Sequence, residues 1–346
     1  MLGQLARALS RKLFVATRTA RTAALHLPYT FHQLTLRRLL RSTREAQASL
    51  NRRLARLFEE DWSDADAGTY PRELIDGLPW REYLDVAPKL FFDWPRTNWR
   101  IRRGRFDDLP KNAAPERYPR YYRRNFHFQT EGYLGHTSAQ LYDLQVELLF
   151  GGTADVMRRR LIPPVVRFAR REGYGRTRPM KVLDVACGTG HLLTMLGAAL
   201  PDAQLVGVDL SPHYVARARA TIPRDLNVSL LTDNAERLPF IDGHFDAAVN
   251  VFLLHELPGD VRARVLAEMA RVVRPGGLVV VADSIQLHDA PELEREMRAF
   301  PESFHEPYYL SYLRDDIATR LRAAGLRIAD DRVHFITKVV TAEKPV

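Results

Sequence analysis

Cysteine is almost absent. Cys187 stands alone among 346 residues, so neither an intramolecular disulfide nor a cysteine-based metal cluster can form. One thiol in a chain of this length fits a reducing compartment such as the cytoplasm. Long apolar runs are missing as well. No stretch approaches the ~18 consecutive apolar residues that a membrane-spanning helix needs, and no clean apolar core follows the first charges as it would in a secretory signal. The eleven histidines are scattered without a His-Glu-x-x-His pattern, so no metal-ligating constellation stands out. Acidic residues are absent from the first 44 positions.

What is present divides the chain by charge. Residues 1–60 carry twelve Lys/Arg and three acids, which accounts for the whole formal charge of +9. The remainder is balanced, so the basic character belongs to an arm. Apolar and basic residues interleave there, as in Leu5-Ala6-Arg7-Ala8-Leu9. On a helix, Leu36, Leu39 and Leu40 share one face while Arg37, Arg38 and Arg41 lie mostly away from it. Three readings stay open: a solvated or self-packing helix, contact with an anionic membrane surface or a partner, or an organellar transit peptide over residues 1–44. Nucleic acid fits poorly, since the arm lacks the interleaving of aromatic with basic residues that stacks bases.

Residues 61–178 hold all four tryptophans and many prolines. Short helices and irregular segments are predicted here, followed by helices over 137–149 and 153–171, separated by Gly151-Gly152. The aromatic run from Tyr118 to Tyr133 either lines an apolar substrate pocket or packs this accessory region onto the core.

From residue 179 the pattern alternates between strand and helix. Lys181–Val185, Gln204–Asp209, Asn227–Leu231, Phe245–Asn250 and Leu278–Asp283 read as strands. Their near-continuous Val/Leu content suits parallel strands buried on both faces. Val261, Val265, Leu266, Met269, Val272 and Val273 fall at helical spacing and stop at Arg274-Pro-Gly-Gly277. Further helices are expected near 291–300 and 313–324, then an antiparallel pair over 327–333 and 335–341. This is an α/β, doubly wound, Rossmann-like sheet, which binds ligands at the carboxyl ends of its strands.

Chemistry concentrates in Val182-Leu-Asp-Val-Ala-Cys-Gly-Thr-Gly190. Gly188 and Gly190 can take positive φ and let a ligand approach the backbone. Asp184 precedes the turn. Asp209, at the tip of the second strand, is placed to accept both hydroxyls of a ribose, where a hydrogen bond to a charged group contributes roughly 1.5–3 kcal/mol. A dinucleotide loop would place a third glycine where Leu193 stands. Asp184 would repel a pyrophosphate but suits a cationic sulfonium and ammonium, which favours adenosylmethionine over NAD(P).

These segments resemble the class I S-adenosylmethionine-dependent methyltransferases, in particular the group holding the ubiquinone/menaquinone C-methyltransferases and many small-molecule O-methyltransferases. Residues 182–190 resemble the first motif of that family, 206–211 its ribose motif and Asn234-Ala-Glu-Arg-Leu-Pro-Phe240 its adenine motif. Residues 245–257 resemble the fourth-strand motif, and 273–278 the late helix–strand turn. The likeness covers residues 179–285, five motifs in order.

It implies a seven-stranded methyltransferase domain over 179–346, a helical and irregular accessory and cap region over 61–178, and a basic helical arm over 1–60. It implies S-adenosylmethionine as cofactor, held by Asp184, Ala186, Gly188, Thr189, Gly190, Asp209, Leu210, Ala235 and Asn250. Tyr142, in a Tyr-Asp pair that resembles the one packing over the cofactor in the quinone methyltransferases, joins that set. The usual adenine-contacting aspartate position is Asn234, with Asp233 just before it, so the contact falls to either.

Methyl transfer needs proximity, alignment and exclusion of water, and a base only where the acceptor must lose a proton. His255 is the candidate base, with His305 and Tyr308 as further catalytic candidates beside Glu306 and Tyr309, in the region after strand 5 where this fold builds a lid. The expected acceptor is a small aromatic, quinone-like or lipidic molecule, methylated on oxygen or carbon. The alternatives are a non-catalytic binding or assembly protein on the same fold, a protein or RNA methyltransferase and, more distantly, an NAD(P) oxidoreductase.

Overall fold

The computed structural model describes residues 2–25, 43–77, 88, 95–109, 114–129 and 131–346. The Val/Leu runs become strands β1 (Lys181–Val185), β2 (Gln204–Asp209), β3 (Val228–Thr232), β4 (Phe245–Val251) and β5 (Val273–Ser284), and the chain ends in β6 (Arg327–His334) and β7 (Thr337–Glu343). They form one seven-stranded sheet in the order β3-β2-β1-β4-β5-β7-β6. The first five are parallel, whereas β7 runs antiparallel between β5 and β6. The chain steps outward from β1 to β3 and returns to place β4 on the other side of β1. The carboxyl ends of β1, β2 and β4 therefore surround one crevice at the point of reversal.

Alternate residues of each strand feed two apolar layers. Leu183, Val185, Ala248, Val279 and Val281 pack with Val261, Val265, Leu266 and Met269. Val182, Leu205, Val249 and Val280 pack on the opposite face with Val165, Phe168, Leu193 and Leu196. The helices that carry these partners are, in chain order, α1 (Leu2–Leu25), α2 (Arg44–Asp66), α3 (His136–Leu149), α4 (Ala154–Arg159), α5 (Ile162–Arg171), α6 (His191–Ala199), α7 (Pro212–Thr221), α8 (Gly259–Val272), α9 (Glu294–Phe304), α10 (Tyr309–Leu313) and α11 (Ile317–Ala323).

Two expected helices are divided, each for a local reason. The segment 153–171 splits into α4 and α5 because Pro163 and Pro164 lack amide hydrogens and favour a new helix start. The segment 313–324 splits because the Asp316 carboxylate accepts the Ala318 amide at 3.0 Å and caps a fresh helix.

Helix α2 runs through residue 60, the expected limit of the arm, and is part of the body. Leu57 and Phe58 are buried against Val156 and Met157, with Phe14 and Val15 of α1 packed alongside. The stretch 26–42, with Leu36, Arg37, Arg38, Leu39, Leu40 and Arg41, lies outside the described residues. Among those described, no helix is long and apolar enough to cross a membrane.

The tie between α2 and the body is ionic. Asp61 is fully buried. It accepts two bonds from Arg159 (2.8 and 2.7 Å), one from Arg160 (2.8 Å) and one from the Tyr70 hydroxyl (2.8 Å). Burial works against its charge, but the two guanidiniums hold the carboxyl below the ordinary range. Removing one partner of such a group leaves the others buried and uncompensated. Asp61→Ala is expected to lower unfolding stability by about 3–5 kcal/mol, read as a shifted urea midpoint.

Candidate active site

The turn leaving β1 is built from backbone that few residues adopt. Ala186, Gly188 and Gly190 have φ of 60°, 54° and 82°. At Ala186, a residue with a Cβ, this conformation stores strain of the kind found at ligand clamps. The turn is pinned from β2: Asp209 accepts the Gly188 amide at 2.9 Å and the Ser211 amide at 2.8 Å. It is pinned from α3 by the Thr189 hydroxyl, which donates to Asp143 at 2.7 Å. From β4, the Asn250 amide donates to the Val185 carbonyl at 2.6 Å, joining the ends of β1 and β4.

A cavity of about 120 Å³ opens above this turn. Eight of the residues marked from sequence line it: Tyr142, Ala186, Gly188, Asp209, Leu210, Asp233, Asn234 and Ala235. The other four, Asp184, Thr189, Gly190 and Asn250, lie behind the lining. Asp184 and Asn250 are buried there with Oδ2 and Oδ1, respectively, lacking any hydrogen-bond partner. Burial, aided by Asp209, pushes the Asp184 carboxyl well above its ordinary range. Burial also raises Asp209, to about 6, although the Ser211 and Gly188 amides oppose this. Asn234 spends its side-chain oxygen on the Glu236 amide at 2.9 Å, while its own amide donates to Asp233 at 2.7 Å.

The opposite wall is aromatic. Tyr121, Tyr122, Phe126 and Tyr133, all from the Tyr118–Tyr133 run, line the cavity with Tyr142 and Tyr214. Tyr142 and Tyr214 meet edge to face with centroids 5.5 Å apart. Of the two readings of that run, the structure places four of its rings on the cavity.

Beyond the aromatics the cavity reaches Glu256, one member of a buried polar cluster. The Tyr133 hydroxyl donates to Glu256 Oε1 at 2.5 Å, and His127 Nε2 lies 3.1 Å from the same oxygen. His127 Nδ1 is 3.6 Å from Glu306 Oε1. His255 Nδ1 is 2.5 Å from Asp283, while its Nε2 is 3.9 Å from both Glu256 and Glu306. Burial disfavours the charged imidazole of His255, but Asp283, Glu306 and Glu256 outweigh it and hold the ring at about 10. Glu306 moves the other way, pushed up to about 7 by burial against the pull of His255 and His127. Asp283 occupies Nδ1, so Nε2 is the nitrogen left to face the two glutamates.

The two other catalytic candidates do not line the cavity. His305 has φ 47° at the end of α9, a left-handed turn that sends its ring to stack on Phe106 at 4.3 Å and its neighbour Glu306 inward. Burial and Arg124 push its imidazole down to about 4. Tyr308 sits under the Arg124 guanidinium at 5.9 Å, and its carbonyl accepts from Arg262. Tyr309 is buried and bonds Ser284 at 2.7 Å. His127, Glu256 and Glu306 offer ligand atoms that all lie within 4.8 Å of one another.

The sequence of this region is similar to those of known proteins. The chain is 31% identical over 162 residues to an O-methyltransferase of Aspergillus nomiae, covering 46% of this chain and 69% of that one. The chain belongs to the class I S-adenosylmethionine-dependent methyltransferases. The family model described as a methyltransferase domain matches residues 182–277. An O-methyltransferase of Penicillium expansum is 33% identical over 183 residues, 51% of this chain and 61% of the relative. The demethylmenaquinone methyltransferase of Thermus thermophilus is 37% identical over 146 residues, 42% and 61% respectively. The chain spans about three fifths of the length of the first curated relatives it matches.

In this methyltransferase the two turn glycines differ in the room around them. A Cβ on Gly190 would meet Ile222 at 2.6 Å and Ala218 at 3.1 Å, whereas one on Gly188 would meet only Tyr214, at 4.0 Å. Both substitutions carry the left-handed penalty, and only one also overpacks. Gly190→Ala is expected to cost ~2–4 kcal/mol of unfolding stability and Gly188→Ala ~1–2 kcal/mol. Parallel chemical denaturation checks this, and equal losses would refute the packing argument.

Proposed function

We propose that this methyltransferase moves a methyl group to an oxygen or carbon of a small aromatic, quinone-like or lipidic acceptor. One observation carries the reading. The cavity that begins on Gly188 and Asp209 continues without a break along the aromatic wall to Glu256. Cofactor floor and acceptor wall are one space.

The residues fit S-adenosylmethionine. Among the described residues, buried Asp184 and half-buried Asp209 have no cationic partner within hydrogen-bond reach, and Asp184 Oδ2 and Asn250 Oδ1 have no hydrogen-bond partner. A cationic ligand with free hydroxyls satisfies that set. Asp209 would hold the ribose, and Asp184 and Asn250 the methionine end, acting with the Gly188–Gly190 turn and Thr189 behind it. Asp233 rather than Asn234 would meet the adenine amino group, because the Asn234 oxygen already holds the Glu236 amide. Ala235 and Leu210 would flank the ring, and Tyr142 would cover it. When bound, the cofactor supplies an activated methyl group for in-line displacement. Tyr122, Phe126 and Tyr133 orient a flat acceptor and exclude water. Glu256, the cluster carboxylate on the cavity, faces the acceptor group that loses a proton. The printed names of the relatives, O-methyltransferases and a demethylmenaquinone methyltransferase, support an acceptor of this class.

Labelled methyl transfer to a panel of phenols and hydroquinones tests the reading. Incorporation is expected, and none into any member would overturn it. Asp209→Asn should weaken S-adenosylhomocysteine binding roughly tenfold to hundredfold by calorimetry. The ribose needs the ionised carboxylate, whose free-state value is about 6. Affinity is therefore full above that pH and falls as the pH drops through it.

Helix α1 supports a proposal about location. Leu9 and Leu13, one turn apart, are 69% and 66% exposed beside Arg7, Arg11 and Lys12. Apolar residues flanked by bases, with no acid on the helix, favour an anionic membrane surface over a purely cytoplasmic or an organellar placement. Wild type should pellet with phosphatidylserine vesicles, and a Leu9→Ser/Leu13→Ser variant should pellet less. Equal pelleting of the two would remove α1 as the contact.

A further inference from the structure

We propose that His127, Glu256 and Glu306 bind one divalent transition-metal ion at the inner end of the cavity. The three come from segments more than a hundred and about fifty residues apart, yet their ligand atoms all lie within 4.8 Å. Ligands around an ion at 2.0–2.2 Å sit ~3–4 Å from one another, so side-chain rotations of about 1 Å would close the set.

Two independent features point to a cation. Glu306 is 2% exposed and Glu256 8%, and the Oε2 atom of each accepts no hydrogen bond. Buried carboxylate oxygens are ordinarily paired or coordinate a metal. The second feature is His255. Its Nδ1 is taken by Asp283 at 2.5 Å, which leaves Nε2 directed at the same two glutamates, 3.9 Å from each. A carboxylate on one imidazole nitrogen with the other aimed at a centre is the arrangement that orients a metal-binding histidine. His255 is therefore the fourth ligand that the centre would draw in, with Asp283 behind it.

The remaining surroundings agree. The Tyr133 hydroxyl bonds Glu256 Oε1 and would steady that ligand. His127 has φ 52°, a backbone turn that holds its ring between the two carboxylates. An entry path exists, because Glu256 lines the cavity. Imidazole with carboxylate suits the series from Mn²⁺ to Zn²⁺, and the one thiol, Cys187, is on the glycine turn. The ion would face the acceptor; in that respect alone the inference rests on the proposed methyl transfer.

The experiment uses the full chain, dialysed against a chelator and titrated with Co²⁺ alone. One equivalent per chain and a visible absorption band are expected. Glu306→Gln and His127→Gln should each abolish the band, while S-adenosylhomocysteine affinity, measured on the same samples, shows that the variants are folded. Asp283→Asn should weaken Co²⁺ about 10–100-fold. A wild-type chain that binds S-adenosylhomocysteine and takes up no Co²⁺ would overturn the site, leaving protons alone to neutralise the cluster. So would both ligand variants binding Co²⁺ as tightly as wild type. Co²⁺ uptake without any S-adenosylhomocysteine affinity would uphold the site and sink the methyl-transfer reading.

Discussion

Burying a carboxylate is costly unless something positive or hydrogen-bonding meets it, and this chain buries carboxylates in two contrasting ways. Asp61 is met completely by Arg159, Arg160 and Tyr70. Its interactions are spent within the protein, and its work is to hold α2 against the body. At the carboxyl edge of the sheet, Asp184, Glu256 and Glu306 each keep an oxygen without a hydrogen-bond partner. The titration shifts follow the partners: Asp61 is held below the ordinary range, Asp184 and Glu306 are raised above it, and Glu256 is held below it by His127 and His255 despite its burial. The first group is fully met within the fold, and among the described residues the second is met only in part.

The topology explains why the unsatisfied group gathers at one place. Parallel strands present their carboxyl ends together, and the reversal between β1 and β4 opens a gap between the connections that follow them. Asp184 lies one residue before the end of β1, Asp209 ends β2, and Asp283 comes near the end of β5. In β1, β4 and β5, Val182, Leu183, Ala247, Ala248, Val249, Val279, Val280 and Val281 are fully buried. The polar side chains Asp184, Asn250 and Asp283 follow those runs, towards the carboxyl ends of the same strands.

The sequence made the cofactor half readable and left the acceptor half obscure. β1 and β2 were legible to the residue, because a strand buried on both faces has no polar alternation to blur its limits. Ala186, Gly188 and Asp209 were legible because turn, strand tip and helix start follow one another in a fixed spacing. The cluster around Glu256 has no such spacing. His127 sits in irregular backbone with positive φ, and Glu306 follows a left-handed residue, so neither periodicity nor motif indicates where either side chain points. His305 and Glu306 are neighbours, and the turn at His305 decides which of them faces inward. That choice depends on Phe106 being present to stack on the outward ring, a contact nearly two hundred residues away.

The aromatic segment couples the two halves. Tyr121 bonds Glu236, in the turn begun by Asn234, at 2.7 Å, while the Tyr133 carbonyl accepts the hydroxyl of Ser211, whose amide is held by Asp209. The Tyr133 hydroxyl reaches on to Glu256. One stretch of chain therefore touches the neighbour of Asp209, the turn begun by Asn234 and the cluster around Glu256. Each contact is a single hydrogen bond, worth about 0.5–1.5 kcal/mol net, too little alone to fix a wall of five or six rings. Together they hold it at three points. A ligand that reorganises Asp209 acts on Ser211 and, through it, on the residue that bonds Glu256. The geometry of the aromatic wall is in this sense tied to Asp209 at one end and to Glu256 at the other, and the aromatic run spans both.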